Sequence, residues 1–166
     1  MKNFSKENSK GFTIVETLVA IAILMIAIAG PLTIAQKGLM ASVYARDQSV
    51  ATFLAQDAME FVKNYRDNNI KQGRGWLAGL VSCTPASYCN VDTTDGTIQG
   101  SGSQALYKTS GGFRPSGSNK SQFSRKFSIE QLQTGVEARV IVTVNWNTGT
   151  IQNVVTIEDY FFFVQL

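Results

Sequence analysis

The sequence predicts an α+β chain: one long N-terminal helix, apolar in its first half and amphipathic in its second, followed by a small antiparallel sheet. Three observations carry that expectation. Twenty consecutive residues between Glu16 and Lys37 bear no formal charge. From Met40 to Asn69 neither glycine nor proline interrupts a helical spacing of apolar residues. From Val136 to Trp146 side chains alternate with the period of a strand that buries one face. The chain has 166 residues, a length that fits one domain. Only 16% of them are charged, against roughly 25% in an ordinary soluble domain.

Composition also narrows the chemistry. Histidine is absent, which removes Ser-His-Asp and Cys-His nucleophiles and the usual ligand of catalytic zinc. Two cysteines without histidine cannot close a structural zinc site. No pair of acids stands at a catalytic spacing, so we expect no enzyme, no metal and no cofactor. A net charge of +3 is too small to mark a nucleic-acid footprint by itself.

The elements follow in order. Residues 1–11 form a basic leader with Lys2, Lys6 and Lys10 against Glu7. Positive charge before an apolar run holds an N-terminus on the cytoplasmic side. The run from Phe12 to about Ala35, within a segment bounded at 12–36, is long enough for a hydrocarbon core of about 30 Å at about 1.5 Å per residue. It exceeds the roughly 7–15 residues of a cleaved secretory signal. Glu16 lies in the first turns of this span, where a deeply placed carboxylate costs about 2–3 kcal/mol. Near the interface it would instead be favoured by the helix dipole. Pro31 cannot donate to the carbonyl of Ala27, so Gly30-Pro31 marks a weak point or a tolerated kink.

The string Lys10-Gly11-Phe12-Thr13-Ile14-Val15-Glu16, continued by Thr17-Leu18-Val19-Ala20-Ile21-Ala22-Ile23-Leu24, resembles the processing signature of type IV prepilins. The resemblance covers about Lys10 to Leu32 and is weak elsewhere. It implies a pilin-like fold, cleavage between Gly11 and Phe12 by a prepilin peptidase, and N-methylation of Phe12. It implies that Glu16 neutralises the N-terminus of a neighbouring subunit during assembly, which gives an intramembrane acid the partner it needs. Gly30 and Pro31 would be where helicity yields when subunits pack, although the proline spacing departs from the commonest one. The partners implied are other pilin subunits, the peptidase and methyltransferase, an assembly platform, and the membrane before assembly. The precursor is expected to cross the cytoplasmic membrane once with its N-terminus inside, and the assembled subunit to lie in an extracellular filament.

From 37 to 68 the chain becomes amphipathic. Leu39, Val43, Val50, Leu54, Ala58, Phe61 and Tyr65 form one stripe, and Arg46, Asp47, Gln48, Gln56, Asp57, Glu60 and Lys63 occupy the other faces. The Asp67-Asn68-Asn69 run is a plausible stop. The 57 residues from Phe12 to Asn68 would span about 85 Å if wholly helical. A single-pass anchor with a juxtamembrane coiled coil would share this pattern without the processing motif.

Residues 69–166 form the head. Twelve of the twenty-eight residues from Asp95 to Gln122 are glycine or serine, which reads as irregular or mobile structure. Gly100-Ser101-Gly102-Ser103 reads as a flexible loop and Gly111-Gly112-Phe113-Arg114-Pro115 as a turn. Gly73-Arg74-Gly75-Trp76 is too short a match to indicate RNA binding. Strands are expected at Phe123–Leu132, Val136–Trp146 and Ile151–Asp159, joined through Gly135 and Asn147-Thr148-Gly149. The face carrying Val140, Val142 and Trp146 should lie against the amphipathic helix. Tyr160-Phe161-Phe162-Phe163-Val164 is too apolar to stay exposed and should form an edge strand or pack on the helix. On the extracytoplasmic reading, Cys83 and Cys89 would form a bridge pinning a surface loop, free thiols being the alternative.

The favoured function is a structural filament subunit, minor rather than major, on the likeness of Leu54-Ala55-Gln56-Asp57-Ala58-Met59-Glu60 and Arg66-Asp67-Asn68 to minor pilins and pseudopilins. A type II secretion pseudopilin is one alternative. A tip module that adheres or captures DNA is another. For DNA the relevant cations are Lys108, Arg114, Lys120, Arg125 and Lys126, whose simpler reading is a solvated loop.

Overall fold

The computed structural model describes residues 11–100 and 104–163. The leader up to Lys10, the centre of the Gly100–Ser103 loop and Val164 lie outside the described residues. The chain divides into two compact units between Ser42 and Val43.

The first unit contains the N-terminal part of helix α1, which runs Ile14–Lys71 and stays helical through Pro31. Thr13 caps its start: the Thr13 hydroxyl accepts the amide of Glu16 at 3.3 Å, one of the donors a helix N-terminus leaves unpaired. None of the described residues up to Ser42 is buried within the chain.

In the second unit the remainder of α1 packs on one face of a five-stranded antiparallel sheet of order β4-β3-β5-β6-β7. The strands are β3 Ala105–Thr109, β4 Gly112–Arg114, β5 Lys120–Gln133, β6 Glu137–Thr148 and β7 Ile151–Phe162. A separate two-stranded sheet pairs β1 Asn90–Asp92 with β2 Thr97–Gln99. The α+β architecture expected from the sequence is present, with one long helix and antiparallel sheets. The β6 alternation works as its period requires: Ala138, Val140, Val142, Val144 and Trp146 are buried and the residues between them are half-exposed. Gly149, at φ 62°, starts a two-residue β6–β7 loop with no other positive-φ residue, the arrangement that matches strand twist in a tight hairpin.

The helix runs in the direction of β7, because its contacts advance together along both elements. Tyr44 lies beside Trp146 at the hairpin end, Lys63 pairs with Asp159 at 2.9 Å, and the Arg66 guanidinium sits 4.5 Å over the Phe161 ring.

Several expectations need correction. The buried helical stripe is Asp47, Ala51, Leu54, Ala55, Ala58, Met59 and Val62, rotated from the expected one. Val50, Phe61 and Tyr65 flank it half-buried, and Leu39 is exposed. The physical reason is size: alanines at the centre let the helix backbone approach the sheet, and larger side chains fill the flanks. Asp47, expected on a polar face, continues this stripe one turn before Ala51 and is buried beneath Arg46. The helix ends at Lys71, two residues past the asparagines, and Gly73 closes it. The Arg74 amide bonds the Asn69 carbonyl, the Gly73 amide bonds the Ile70 carbonyl, and Gly73 takes φ 66°. Asn69 is buried instead, donating to the carbonyls of Trp76 and Ala78.

The glycine- and serine-rich stretch contains β2, β3 and β4, so its composition concealed short strands. Gly112–Arg114, read as a turn, is one of them. The closing aromatics divide: Phe161 is buried and Phe163 stacks on Trp76, whereas Phe162 remains 57% exposed, because successive side chains of an edge strand point to opposite faces.

Cys83 and Cys89 are joined in a disulfide that closes a loop with Pro85 and Ala86 exposed, as expected, but the two cysteines themselves are buried in the core. Their segment extends the sheet. Beyond the reach of β3, the edge of β5 is met by Cys89, which exchanges both backbone hydrogen bonds with Phe127, and by the Cys83 carbonyl, which accepts the Ile129 amide. A small covalent loop constrains the unfolded chain by about 2 kcal/mol, and native disulfides as a class are worth about 2–5 kcal/mol. We therefore expect Cys83→Ser/Cys89→Ser to lose about 3–5 kcal/mol in denaturant unfolding, since two hydroxyls enter the core and the β5 edge loosens. A loss under about 1 kcal/mol would show that the segment is held without its bridge.

Candidate functional site

The N-terminal segment is built from the helix start outward. Gly11, Phe12 and Thr13 precede the first helical residue, so the Gly11–Phe12 peptide lies on non-helical chain. Phe12 is exposed, as are Ile14, Val15, Leu18 and most large apolar residues through Met40. Glu16 occupies the first turn and meets no cation among the described residues. Thr13 and Glu16 stand in the Thr-x-x-Glu spacing of a capping box, a signal that could have placed the helix start from sequence. The apolar part of α1 is unburied within the chain and is long and apolar enough to cross a membrane. Pro31 lies within the helix, and the Thr33 hydroxyl donates to the Ala29 carbonyl just before it.

In the second unit the sequence-based basic stretch comes apart. Arg125 is 1% exposed and clamps three elements together. Its Nη1 donates to the Leu54 carbonyl of α1 at 3.0 Å and to Asp57 Oδ2 at 3.2 Å. Its Nη2 donates to the Val91 carbonyl of β1 at 2.8 Å, and Nε reaches Asn90 Oδ1 at 3.4 Å. Burial pushes the guanidinium below its ordinary range, and the Asp57 carboxylate draws it partly back. Arg114 is tied to Asp92, with two bonds near 3.0 Å, and to Asp95. Lys126 lies 3.9 Å over the Tyr88 ring. The five cations between Lys108 and Lys126 thus divide, with Arg125 in the core, Arg114 clamped by two aspartates and Lys126 on a tyrosine ring, and the five do not form one phosphate-binding face. Sequence reasoning missed this because charge alone does not reveal which carbonyls surround a side chain.

Lys108 and Lys120 remain unpaired with any carboxylate among the described residues. With Arg46, Asp47, Phe113 and Asn119 they line an open cleft of about 480 Å³ where α1 enters the second unit. Among the described residues, no group of three or more metal-ligating side chains converges.

The segment thus joins a non-helical glycine–phenylalanine junction to a capped helix whose apolar surface is exposed and long enough to cross a membrane. Residues 6–30 match the prokaryotic N-terminal methylation motif, which characterises type IV prepilin-like proteins, and in this segment the chain is prepilin-like. No curated relative and no solved structure matches the chain.

Two predictions follow from the second unit's charges. Arg125→Met should cost about 3 kcal/mol in unfolding free energy, because two carbonyls lose a charged donor. Asp57→Asn should cost less than half of that, since Asp57 is 50% exposed and an acceptor remains. Equal losses would mean that the ion pair, not the carbonyl clamp, holds the elements. The second concerns acid. Asp159 is held below the ordinary carboxylate range by the hydrogen bond from Lys63, which outweighs burial. At Asp92 burial acts upward, but bonds from Arg114 and the Asp95 and Thr94 amides lower it overall. Both groups bind fewer protons folded than unfolded near pH 4, so their stabilisation is complete above about pH 5 and is lost as pH falls toward and through their folded values. Melting temperature should stay level from neutrality to about pH 5 and then decline, with a shallower decline in Lys63→Gln/Arg114→Gln.

Proposed function

We propose that this chain is a structural subunit of a type IV pilus-like filament, with a minor rather than a major role. It is inserted as a membrane precursor, cut between Gly11 and Phe12, methylated on the Phe12 amine, and polymerised through its N-terminal helix. It has no catalytic role in this reading. The observation that carries it is the coincidence, in one segment, of the methylation motif at 6–30 with an apolar helix that no described residue of the chain covers. Such a surface needs lipid before assembly and neighbouring helices after it. Glu16 supports the same reading: an acid in the first turn of that helix, with no cation among the described residues beside it, is suited to meet the N-terminus of another copy. Gly30-Pro31 would be where the helix yields on packing, since one backbone bond is already missing there.

Cleavage removes three lysines and one glutamate, leaving 12 basic and 11 acidic residues. A nearly neutral subunit tolerates close packing with its own kind. A secretion pseudopilin would share all of these features. The dispersal of the head cations gives DNA capture no support.

Glu16 provides the test. In a plain anchor, Glu16→Leu removes a costly charge and leaves insertion unchanged or improved. In a filament subunit it leaves a neighbour's N-terminal cation buried alone, at a cost of about 3–5 kcal/mol per contact. Glu16→Leu should therefore accumulate normally, show an intact mass beginning at methylated Phe12, and be missing from sheared filaments that contain the wild-type subunit. Normal incorporation, or retention of residues 1–11 in the wild-type protein, would overturn the proposal.

A further inference from the structure

The cleft at Arg46, Lys108 and Lys120 has no use in the reading above, and its chemistry is specific. Three cations and one acid line it, and the acid, Asp47, is already bonded through Oδ1 to Arg46 Nε and Nη2 at 3.2 and 3.1 Å. The side chain of Arg46 is 71% exposed above the buried Asp47, so the pair is fixed at its base and open at its mouth. The net charge of the lining is two positive units. Asn119 lies between the two lysines: its carbonyl accepts the Lys108 amide at 2.8 Å and it directly precedes Lys120. Two lysines that line one cleft, with no carboxylate partner among the described residues, present six ammonium donors to whatever enters. Phe113 supplies an apolar wall.

Position along the chain decides the occupant. Lys37 closes the uncharged run, and Arg46 follows nine residues later. Nine residues reach at most about 30 Å when fully extended and about 14 Å when helical. The cleft is therefore tethered close to the membrane surface whatever angle the chain adopts. Tyr44, two residues before Arg46, is 40% exposed and is the type of side chain that settles at a membrane interface. Anionic phospholipid in the extracytoplasmic leaflet, held permanently within reach by the tether, is a better match to this charge than a free solute at low concentration.

We propose that, before assembly, the cleft binds the phosphate of an anionic phospholipid headgroup, with Lys108 and Lys120 as the contacting cations and Arg46 fixed at the rim. Docking would hold the second unit against the bilayer until the subunit is drawn into a filament. The inference rests on the membrane-anchored precursor proposed above.

The test uses the full chain, with Ser118→Cys carrying an environment-sensitive dye beside the cleft and the native disulfide left oxidised. It is reconstituted in vesicles of phosphatidylcholine alone or with about one third phosphatidylglycerol, each containing a nitroxide headgroup quencher. Quenching should be markedly stronger with phosphatidylglycerol and should fall at about 0.5 M salt, where the Debye length shrinks to about 4 Å. Each cation near an anionic surface contributes roughly a fivefold factor, so Lys108→Gln/Lys120→Gln should lower the ratio of docked to undocked protein about 25-fold. Lys126→Gln, which removes the cation over Tyr88, should leave it unchanged. Equal quenching in the two vesicle types, or equal loss in Lys126→Gln, would overturn the cleft as the site. Energy transfer between labelled copies that is independent of lipid would overturn it in favour of a second copy. An alkaline wash separates the two levels: a chain stripped from the vesicles contradicts the membrane anchor and this inference together, whereas an anchored chain with an undocked head contradicts this inference alone.

Discussion

The second unit depends on one buried cation. Arg125 leaves β5 and ends among the carbonyls of Leu54 and Val91, with Asn90 and Asp57 beside them. Other polar contacts join these elements two at a time, Lys63 with Asp159 and Arg114 with Asp92, and the apolar contact between them resists sliding weakly because it is non-directional, whereas Arg125 bonds the helix and the small sheet from β5 at once. A planar guanidinium with five donors in fixed directions sets their separation and register. Its burial is costly, and only several simultaneous acceptors offset that cost. The alanines at 51, 55 and 58 belong to the same solution, because small side chains let the Leu54 carbonyl approach the arginine.

The disulfide segment solves a second problem of the same sheet. β5 is fourteen residues long, and β3 pairs with only its first part. The remaining edge would expose unpaired backbone groups, a liability in any sheet. The Cys83–Cys89 segment supplies those partners, and its covalent closure keeps a short irregular stretch in place where strand propensity alone would not. β7 forms the opposite edge. There the Asp159 side chain occupies the amide of Tyr160, and charged pairs with Lys63 and among Arg139, Glu158 and Glu130 interrupt the apolar character of the strand.

The helix serves two solvents. Up to Ser42 its apolar residues are unburied within the chain, and from Asp47 onward its buried stripe is filled by its own sheet. One continuous element thus carries a surface meant for something outside the chain and a surface satisfied inside it. The prepilin-like motif supplies the reason for the first, and the cluster of Arg46, Lys108 and Lys120 lies where the second begins.

The apolar run, the Gly11-Phe12-Glu16 spacing and the alternation in β6 were legible in the sequence because each is local: composition, motif and side-chain period fall within a few turns or one strand. The long helix and the antiparallel sheet followed from them. What could not be read was anything whose meaning depends on a distant partner. Arg125 and Lys126 are adjacent and alike in sequence, yet one is sealed in the core and the other lies on a tyrosine ring, because Leu54, Asp57 and Val91 surround only the first. Asp47 looked solvated until the helix rotated its alanines inward. Cys83 and Cys89 looked like a surface staple until β5 was found to need an edge partner. β2, β3 and β4 lay hidden in glycine and serine because short strands draw their stability from neighbours and not from propensity. Sequence determined which segment is long and apolar enough to cross a membrane and where the long helix and main strands form; tertiary packing decided which charges are buried, since desolvation and its compensation exist only once remote carbonyls and carboxylates have been brought together.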